Sequence, residues 1–326
     1  MTAHRTAEPK VVALCGGIGG AKLAFGLDRI LGEDLTVVVN IGDDFGHLGL
    51  LVSPDIDTVV YTLAGLNDVE RGWGRAGETW SFMKALAQVG GETWFNLGDL
   101  DLAMHVERTR RLNGGATLTE VTRDIAARLG IRSAILPASD QAIRTIVETD
   151  RGPLAFQHYF VRERCEPITR GIRYEGSDSA RVSGEVVRAL SSSRLAAVVV
   201  CPSNPYLSID PILAVAGMRE LLAACKVPII AVSPIVGRTA VKGPTAKIMT
   251  ELAVEVSHRS IAEHYRGVID ALVIDHAEAT GTQQAAIRHH VLPTLMNCDD
   301  DKIRLAEAVW RFAATISNEP RHRNAG

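Results

Sequence analysis

Three things are missing from this sequence: a strong net charge, a long apolar run and a pattern of paired cysteines. Each absence removes a class of function. Across 326 residues, 35 basic and 38 acidic side chains leave a formal charge of −3. No field of the whole molecule therefore points to nucleic acid or an anionic membrane, although a local basic pocket stays open. No apolar run approaches the ~18 residues that a membrane helix needs. The N-terminal MTAHRTAEPK is polar, and the apolar run after it (VVALC) ends at glycine after five residues. That is too short for a signal-peptide core, so a cytoplasmic protein is expected. The five cysteines, Cys15, Cys165, Cys201, Cys225 and Cys298, are scattered and lack C-x-x-C spacing. They read as small apolar groups in a reducing compartment, neither a disulfide frame nor a zinc site.

What is present is alternation. KVVALC (Lys10–Cys15) and LTVVVN (Leu35–Asn40) read as buried strands, with a helix expected over Ala21–Leu31 between them. LAAVVVC, VPIIAVS and DALVID repeat the buried-strand signal late in the chain, each ahead of a helical pattern. Alternating βα units imply an α/β fold, a doubly wound, mostly parallel Rossmann-like sheet. The middle differs. ETWSFMKALAQVG and DLDLAMHVERTRRLNGG have helical periodicity, and TLTEVTRDIAARLG opens on a Thr117/Glu120 capping box. A hairpin is expected around Asp150–Gly152. Residues 65–193 are taken as an inserted, largely helical subdomain covering the active site, and 1–64 with 194–326 as a discontinuous core.

The stretch VVALCGGIGGAKL feeds a strand into four glycines and then a helix. Gly16, Gly17, Gly19 and Gly20 permit positive φ and close backbone approach, and a helix N-terminus attracts anions. The sequence fits neither common phosphate loop: Lys22 precedes leucine, and it stands where a dinucleotide fingerprint has its third glycine. Lys22 either reaches a phosphate or lies on the helix surface.

After the second strand, NIGDDFGHLGLLVSPDIDT carries Asp43, Asp44, Asp55 and Asp57. A magnesium ion takes one or two carboxylates together with phosphate oxygens and water, which suits Asp43 and Asp57. Asp55, just after Pro54, reads as a turn cap. In NLGDLDLAMH, Asp99 opens a helix, and Asp101 and His105 stand four apart on one face. That pair fits a metal site, a hydroxyl-orienting pair or a plain structural contact, the last being favoured from these residues alone. Ser203 and Asn204 (CPSNPYLSIDP) and Lys242, Gly243 and Lys247 (SPIVGRTAVKGPTAK) fall where late strands give way to helices.

Taken in order, GGIGGAK, VVVNIGDDF, SPDIDT, RGWG, LGDLDLAMH, LPASD, PSNPYLSIDPI, GMRELL and SPIVGRTAVKGPTAK resemble the 2-phospho-L-lactate transferase (CofD) family of coenzyme F-420 biosynthesis. The resemblance implies a magnesium-dependent transferase, forming a homodimer. It would move a phosphorylated three-carbon acid (phospholactate, phosphoenolpyruvate or 3-phosphoglycerate) from a guanosine diphosphate-activated donor to the ribityl hydroxyl of the deazaflavin Fo, releasing GMP. On that resemblance Gly16, Gly17, Gly19, Gly20, Lys22, Asn40, Ser203, Asn204, Ser233, Lys242 and Gly243 bind the donor. Asp43 and Asp57 hold magnesium and act in catalysis, with Asp57 positioning or deprotonating the hydroxyl. Asp57, Asn96, Asp99, Asp101, His105 and Trp73 meet Fo. The chain departs from many relatives at Leu100 and Met104, where arginine and threonine are usual, and at Asn96, where some carry a basic residue.

Two other readings fit parts of the sequence. Non-catalytic nucleotide-binding regulators share the glycine loop and the double aspartate, but typically continue DDGGSSGRLR. This chain continues DDFGHLGLLVSPDIDT. A nicotinamide-dependent dehydrogenase needs the third glycine and only one ribose-binding acid.

Overall fold

The computed structural model describes residues 9–237, 239–240, 243–278 and 287–316. Seven strands form the central sheet: β1 (Lys10–Cys15), β2 (Leu35–Val39), β3 (Ala134–Pro137), β4 (Leu195–Val200), β5 (Ile229–Val232), β6 (Ala271–Asp275) and β7 (Arg288–Leu292). Their order is β7-β6-β5-β4-β1-β2-β3, and every pairing is parallel. Val11–Leu14, Val37–Val39 and Val198–Val200 are almost wholly buried, which is why these strands read as continuous apolar runs instead of alternating ones. The expected doubly wound α/β fold is the observed one.

From β1 the chain proceeds to β2 and β3 on one side, then returns to build β4 on the other. The winding direction thus reverses between β1 and β4, and a crevice opens beyond their carboxyl ends, where ligands of such sheets bind.

Helix α1 (Gly17–Leu31) follows β1 and begins four residues before its expected start. The glycines therefore form its first turn, with Gly16 as the N-cap. Against α1 pack α2 (Pro54–Leu63) and the helix Asp299–Ile316. The second contact is close: a Cβ at Gly26 would lie 2.1 Å from the Lys302 carbonyl oxygen.

Residues 65–193 are not one excursion from the sheet. Strand β3 comes from their middle and pairs with β2 through Thr36–Val39 and Ala134–Pro137. Before β3 lie α3 (Ser81–Gln88), α4 (Asp99–Asn113) and α5 (Leu118–Arg128). The expected Thr117/Glu120 capping box opens α5. After β3, the strands Arg144–Thr149, Gly152–Ala155 and Thr169–Glu175 form a small antiparallel sheet that contains the expected hairpin. The excursion is thus part helical and part β, and it is split by a strand of the main sheet. Among the described residues, no helix is long and apolar enough to cross a membrane.

Candidate active site

A cavity of about 800 Å³ lies beyond the carboxyl ends of β1 and β4. Gly16, Gly17, Gly19 and Lys22 line it from α1, and Asp43, Asp55, Asp57 and Tyr61 from the segment after β2. Asp101 and His105 line it from α4, and Ser203, Asn204, Ser208 and Ser233 from the loops after β4 and β5. Segments more than two hundred positions apart therefore meet at one crevice.

The glycine turn is explained mainly by what it packs against. Of the four expected glycines only Gly17 has positive φ, at 62°. A Cβ on Gly16 would lie 2.5 Å from Asp55 Oδ2, and one on Gly19 would lie 2.5 Å from the Pro202 carbonyl oxygen. Gly20 is buried, would press on Ser203 Oγ at 2.3 Å, and is not among the lining residues. Two backbone N–H groups here already have protein partners: Gly16 N donates to Ser203 Oγ (3.1 Å) and Gly17 N to Asp55 Oδ1 (2.8 Å). The first turn still leaves Ile18 and Gly19 N–H without intrahelical acceptors, at the cavity wall.

Asn40 directly follows β2 and is fully buried. Its Nδ2 donates to Asp43 Oδ1 and Asp55 Oδ2, both at 2.9 Å, and its Oδ1 accepts from Gly42 N at 2.7 Å. Expected among the donor-binding residues, Asn40 is instead a strut beneath the cavity that joins two carboxylates. Asp43 and Asp55 are about 95% buried and line the cavity. Burial, and then the neighbouring Asp55 charge, hold the Asp43 carboxyl well above the usual carboxylate range against the pull of Asn40. Burial likewise pushes Asp55 up to about 6, while the bonds from Asn40 and Gly17 act the other way. Asp55 is thus more than a turn cap. Next to them, Asp44 accepts from Ser53 Oγ (2.9 Å) and is raised by burial to about 7.

Asp57 faces a different neighbour. Both of its oxygens are engaged by Arg108 of α4, Oδ2 at 3.2 Å from Nη1 and Oδ1 bonded to Nη2. Arg108 is 1% exposed. Burial alone would lower its pKa; the Asp57 charge and hydrogen bond more than offset this. The Nη1 atom also lies 3.3 Å from His105 Nδ1. His105 Nε2 is 3.5 Å from Asp101 Oδ2, and Asp101 Oδ1 accepts from the Tyr61 hydroxyl at 2.5 Å. Among the described residues, Asp57, Asp101 and His105 are the one group of three or more ligand atoms close enough to share a metal ion. A guanidinium already fills the cationic role there. The expected Asp43–Asp57 metal pair is therefore not supported: Asp43 is grouped with Asp55, and Asp57 is committed to Arg108.

Several other expectations change. Asp99 accepts from Ser81 N and Phe82 N, both at 3.0 Å, and so caps α3; it is not a lining residue. Lys22 Nζ donates to the Met296 carbonyl at 2.7 Å, at the cavity edge. Lys247 is bound to Glu251, Tyr159 and the Pro167 carbonyl, outside the lining. Asn204 caps the turn Pro205–Ile209 through Oδ1, while its buried Nδ2 has no hydrogen-bond partner among the described residues. Ser233 Oγ accepts from Ile235 N at 3.2 Å. Gly243, Asn96 and Trp73 line the cavity; Lys242 lies outside the described residues. Trp73, Phe160 and Leu295 are 40–44% exposed and form an apolar rim. Arg71 lies 5.2 Å from the Trp73 ring centroid and 4.8 Å from that of Trp80.

No motif in the sequence announces Arg108 or Tyr61, although spacing marks both. Tyr61 is four residues after Asp57 on α2, and Arg108 is three after His105 on α4, so each shares a helix face with a noted residue.

Residues 11–309 match the family model described as 2-phospho-L-lactate transferase CofD. The chain is 38% identical over 317 residues to the phosphoenolpyruvate transferase of Streptomyces griseus subsp. griseus, covering 94% of this chain and 99% of that protein. It is 37% identical over 303 residues to the 2-phospho-L-lactate transferase of Methanosarcina mazei, covering 92% and 99%. A crystal structure of a UPF0052-family protein from Bacillus halodurans shares the fold, with a TM-score of 0.59 at 16% identity and coverage of 93% and 99%.

Proposed function

The chain belongs to the 2-phospho-L-lactate transferase (CofD) family, a family of transferases, and on that premise we propose its reaction. It moves a phosphorylated small organic acid from a guanosine diphosphate-activated donor to the ribityl hydroxyl of the deazaflavin Fo, and GMP leaves. The product is a precursor of coenzyme F-420. The observation that carries this reading is the single cavity in which the α1 N-terminus, the Asp43/Asp55 pair and the Asp101/His105 pair face one another under an apolar rim.

The donor diphosphate fits beside Ile18, Gly19 and Asn204 Nδ2, which offer N–H groups. That position also brings it to Asp43 and Asp55. Two buried carboxylates beside a diphosphate repel it unless a cation lies between them. Among the described residues, no cationic side chain is bonded to Asp43 or Asp55, and the two suit a hard, oxygen-preferring ion such as magnesium. When bound, the ion would neutralise the diphosphate charge. The protein's own part is alignment, because a loose phosphoryl-transfer transition state gains most from in-line placement and charge stabilisation. Trp73, Phe160 and Leu295 offer a flat deazaflavin an apolar surface.

Relatives named for phosphoenolpyruvate and for 2-phospholactate stand at nearly the same identity, so the test carries both donors and the 3-phosphoglycerate analogue. Purified protein incubated with magnesium, Fo and each donor should release GMP in step with a more anionic deazaflavin for at least one of them. No product from any of the three contradicts the proposal.

A further inference from the structure

One corner of the cavity holds a donor without an acceptor beside an acceptor without a donor. Arg108 is always protonated, so its Nη1, whose two N–H groups face Asp57 Oδ2 (3.2 Å), His105 Nδ1 (3.3 Å) and the Leu51 carbonyl (3.4 Å), can meet Nδ1 only as a donor. That assigns the lone pair to Nδ1 and the ring proton to Nε2. Nε2 is buried and has no hydrogen-bond partner among the described residues. Its nearest carboxylate oxygen is Asp101 Oδ2, at 3.5 Å, beyond a good hydrogen bond. The other Asp101 oxygen is already occupied by the Tyr61 hydroxyl. His105, Asp101 and Tyr61 all line the cavity.

The group that satisfies both atoms at once is a hydroxyl, which accepts one hydrogen bond and donates another. A phosphate or carboxylate oxygen would meet repulsion from Asp101, and an ammonium would meet the Nε2–H. We infer that His105 Nε2 and Asp101 Oδ2 seat the attacking hydroxyl of the acceptor, that Asp101 takes its proton, and that Arg108 is the positioning residue that makes this arrangement possible.

Asp57, the carboxylate first expected in this role, has both oxygens committed to Arg108. By occupying Asp57 and fixing the His105 tautomer, the guanidinium leaves Asp101 as the carboxylate oxygen available beside the imidazole. The step balances. The hydroxyl oxygen forms the new O–P bond, the P–O bond to the departing nucleoside monophosphate breaks, and its electron pair leaves with that phosphate. The hydroxyl proton passes to Asp101 Oδ2. This inference rests on the transferase reading above for its substrate, but not for its tautomer.

Two measurements test it. In the Asp101→Asn variant, kcat should fall by ~10²–10⁴-fold, the range for losing a positioned general base. The Kd for Fo, read from quenching of its fluorescence, should stay within about threefold, since most of the ring contact lies at the rim. A kcat within tenfold of the parent would overturn the assignment. Nitrogen-15 NMR of imidazole-labelled protein should show His105 with a pyridine-like Nδ1 and a pyrrole-like Nε2. Arg108→Lys, which keeps the charge but loses the planar fork, should alter that signature. A pyridine-like Nε2 in the parent protein would overturn the inference even if transfer is robust. A parent protein with no transferase activity but with the expected tautomer would instead fail the proposed function alone.

Discussion

The Asp57 carboxylate and the Arg108 guanidinium form a closed ion pair beneath the cavity, with both carboxylate oxygens engaged and both side chains buried. Removing one partner of a buried pair strands the other charge, at a cost of about 3–5 kcal/mol. Asp57→Asn and Arg108→Met should each lower unfolding free energy by that order in urea denaturation. The double variant should lose less than the sum of the two. Single variants as stable as the parent would show that the pair carries no such role.

The glycine turn gives a graded series. Gly19→Ala sets a methyl against a backbone oxygen at 2.5 Å, so α1 or the Pro202 loop must shift. A loss of about 1–3 kcal/mol, typical of overpacking, is expected together with a raised donor KM. Gly17→Ala meets nothing closer than 3.8 Å but has φ of 62°, so it should cost about 1–3 kcal/mol through strain alone. Gly46→Ala, with nothing within 4 Å and no positive φ, is the neutral control. Thermal melts of the three, with donor KM, check the order.

The raised carboxyls should make stability fall as pH rises. Burial lifts Asp44 to about 7 and Asp55 to about 6 in the folded protein, against about 3.9 in an unfolded chain. Between those values the folded state holds protons that the unfolded state has released, so the slope of unfolding free energy with pH is negative. This contribution is present below about pH 4 and is lost as pH rises through 7. Tm of the ligand-free protein should therefore fall from pH 5 to pH 7.5 by more than that of Asp44→Asn. Magnesium should raise Tm more at pH 7.5 than at pH 5, because binding requires ionised carboxylates. A Tm profile unchanged by Asp44→Asn would contradict the Asp44 assignment.

Asp99 offers a contrast within the same motif as Asp101. As the cap of α3 it accepts from two backbone N–H groups of that helix. Asp99→Ala should destabilise that helix by removing its cap. Hydrogen exchange should quicken across Ser81–Gln88, while kcat with saturating substrates stays within a few-fold. A collapse of kcat equal to that of Asp101→Asn would return Asp99 to the chemistry.

Periodicity revealed the sheet where strands are buried on both faces. LTVVVN and LAAVVVC announce β2 and β4 because no position along them needs a polar residue. Strand β3 escaped because Ala134–Pro137 is four residues long, ends in proline and sits at an edge among helices. In the site, Ser203 and Asn204 were legible from their place at a strand's end. The roles of Asn40 and Asp55 were not, because they depend on partners far along the chain: Asp55 accepts from Gly17, 38 positions away, and Asn40 spans two carboxylates 12 residues apart. Local pattern places a residue on a strand or a helix; only packing decides whether it faces a ligand or a neighbour. Arg108 shows the same limit, since nothing local separates it from Arg110 and Arg111, which point outward to Glu107 and Asp124.

The most direct test follows the oxygen atom. Fo carrying oxygen-18 in its terminal ribityl hydroxyl, incubated with magnesium and the accepted donor, should yield a product that keeps the label in its new phosphodiester bridge. The GMP released should contain none. Label in GMP, or its loss from the product, would contradict direct attack by the hydroxyl within this cavity.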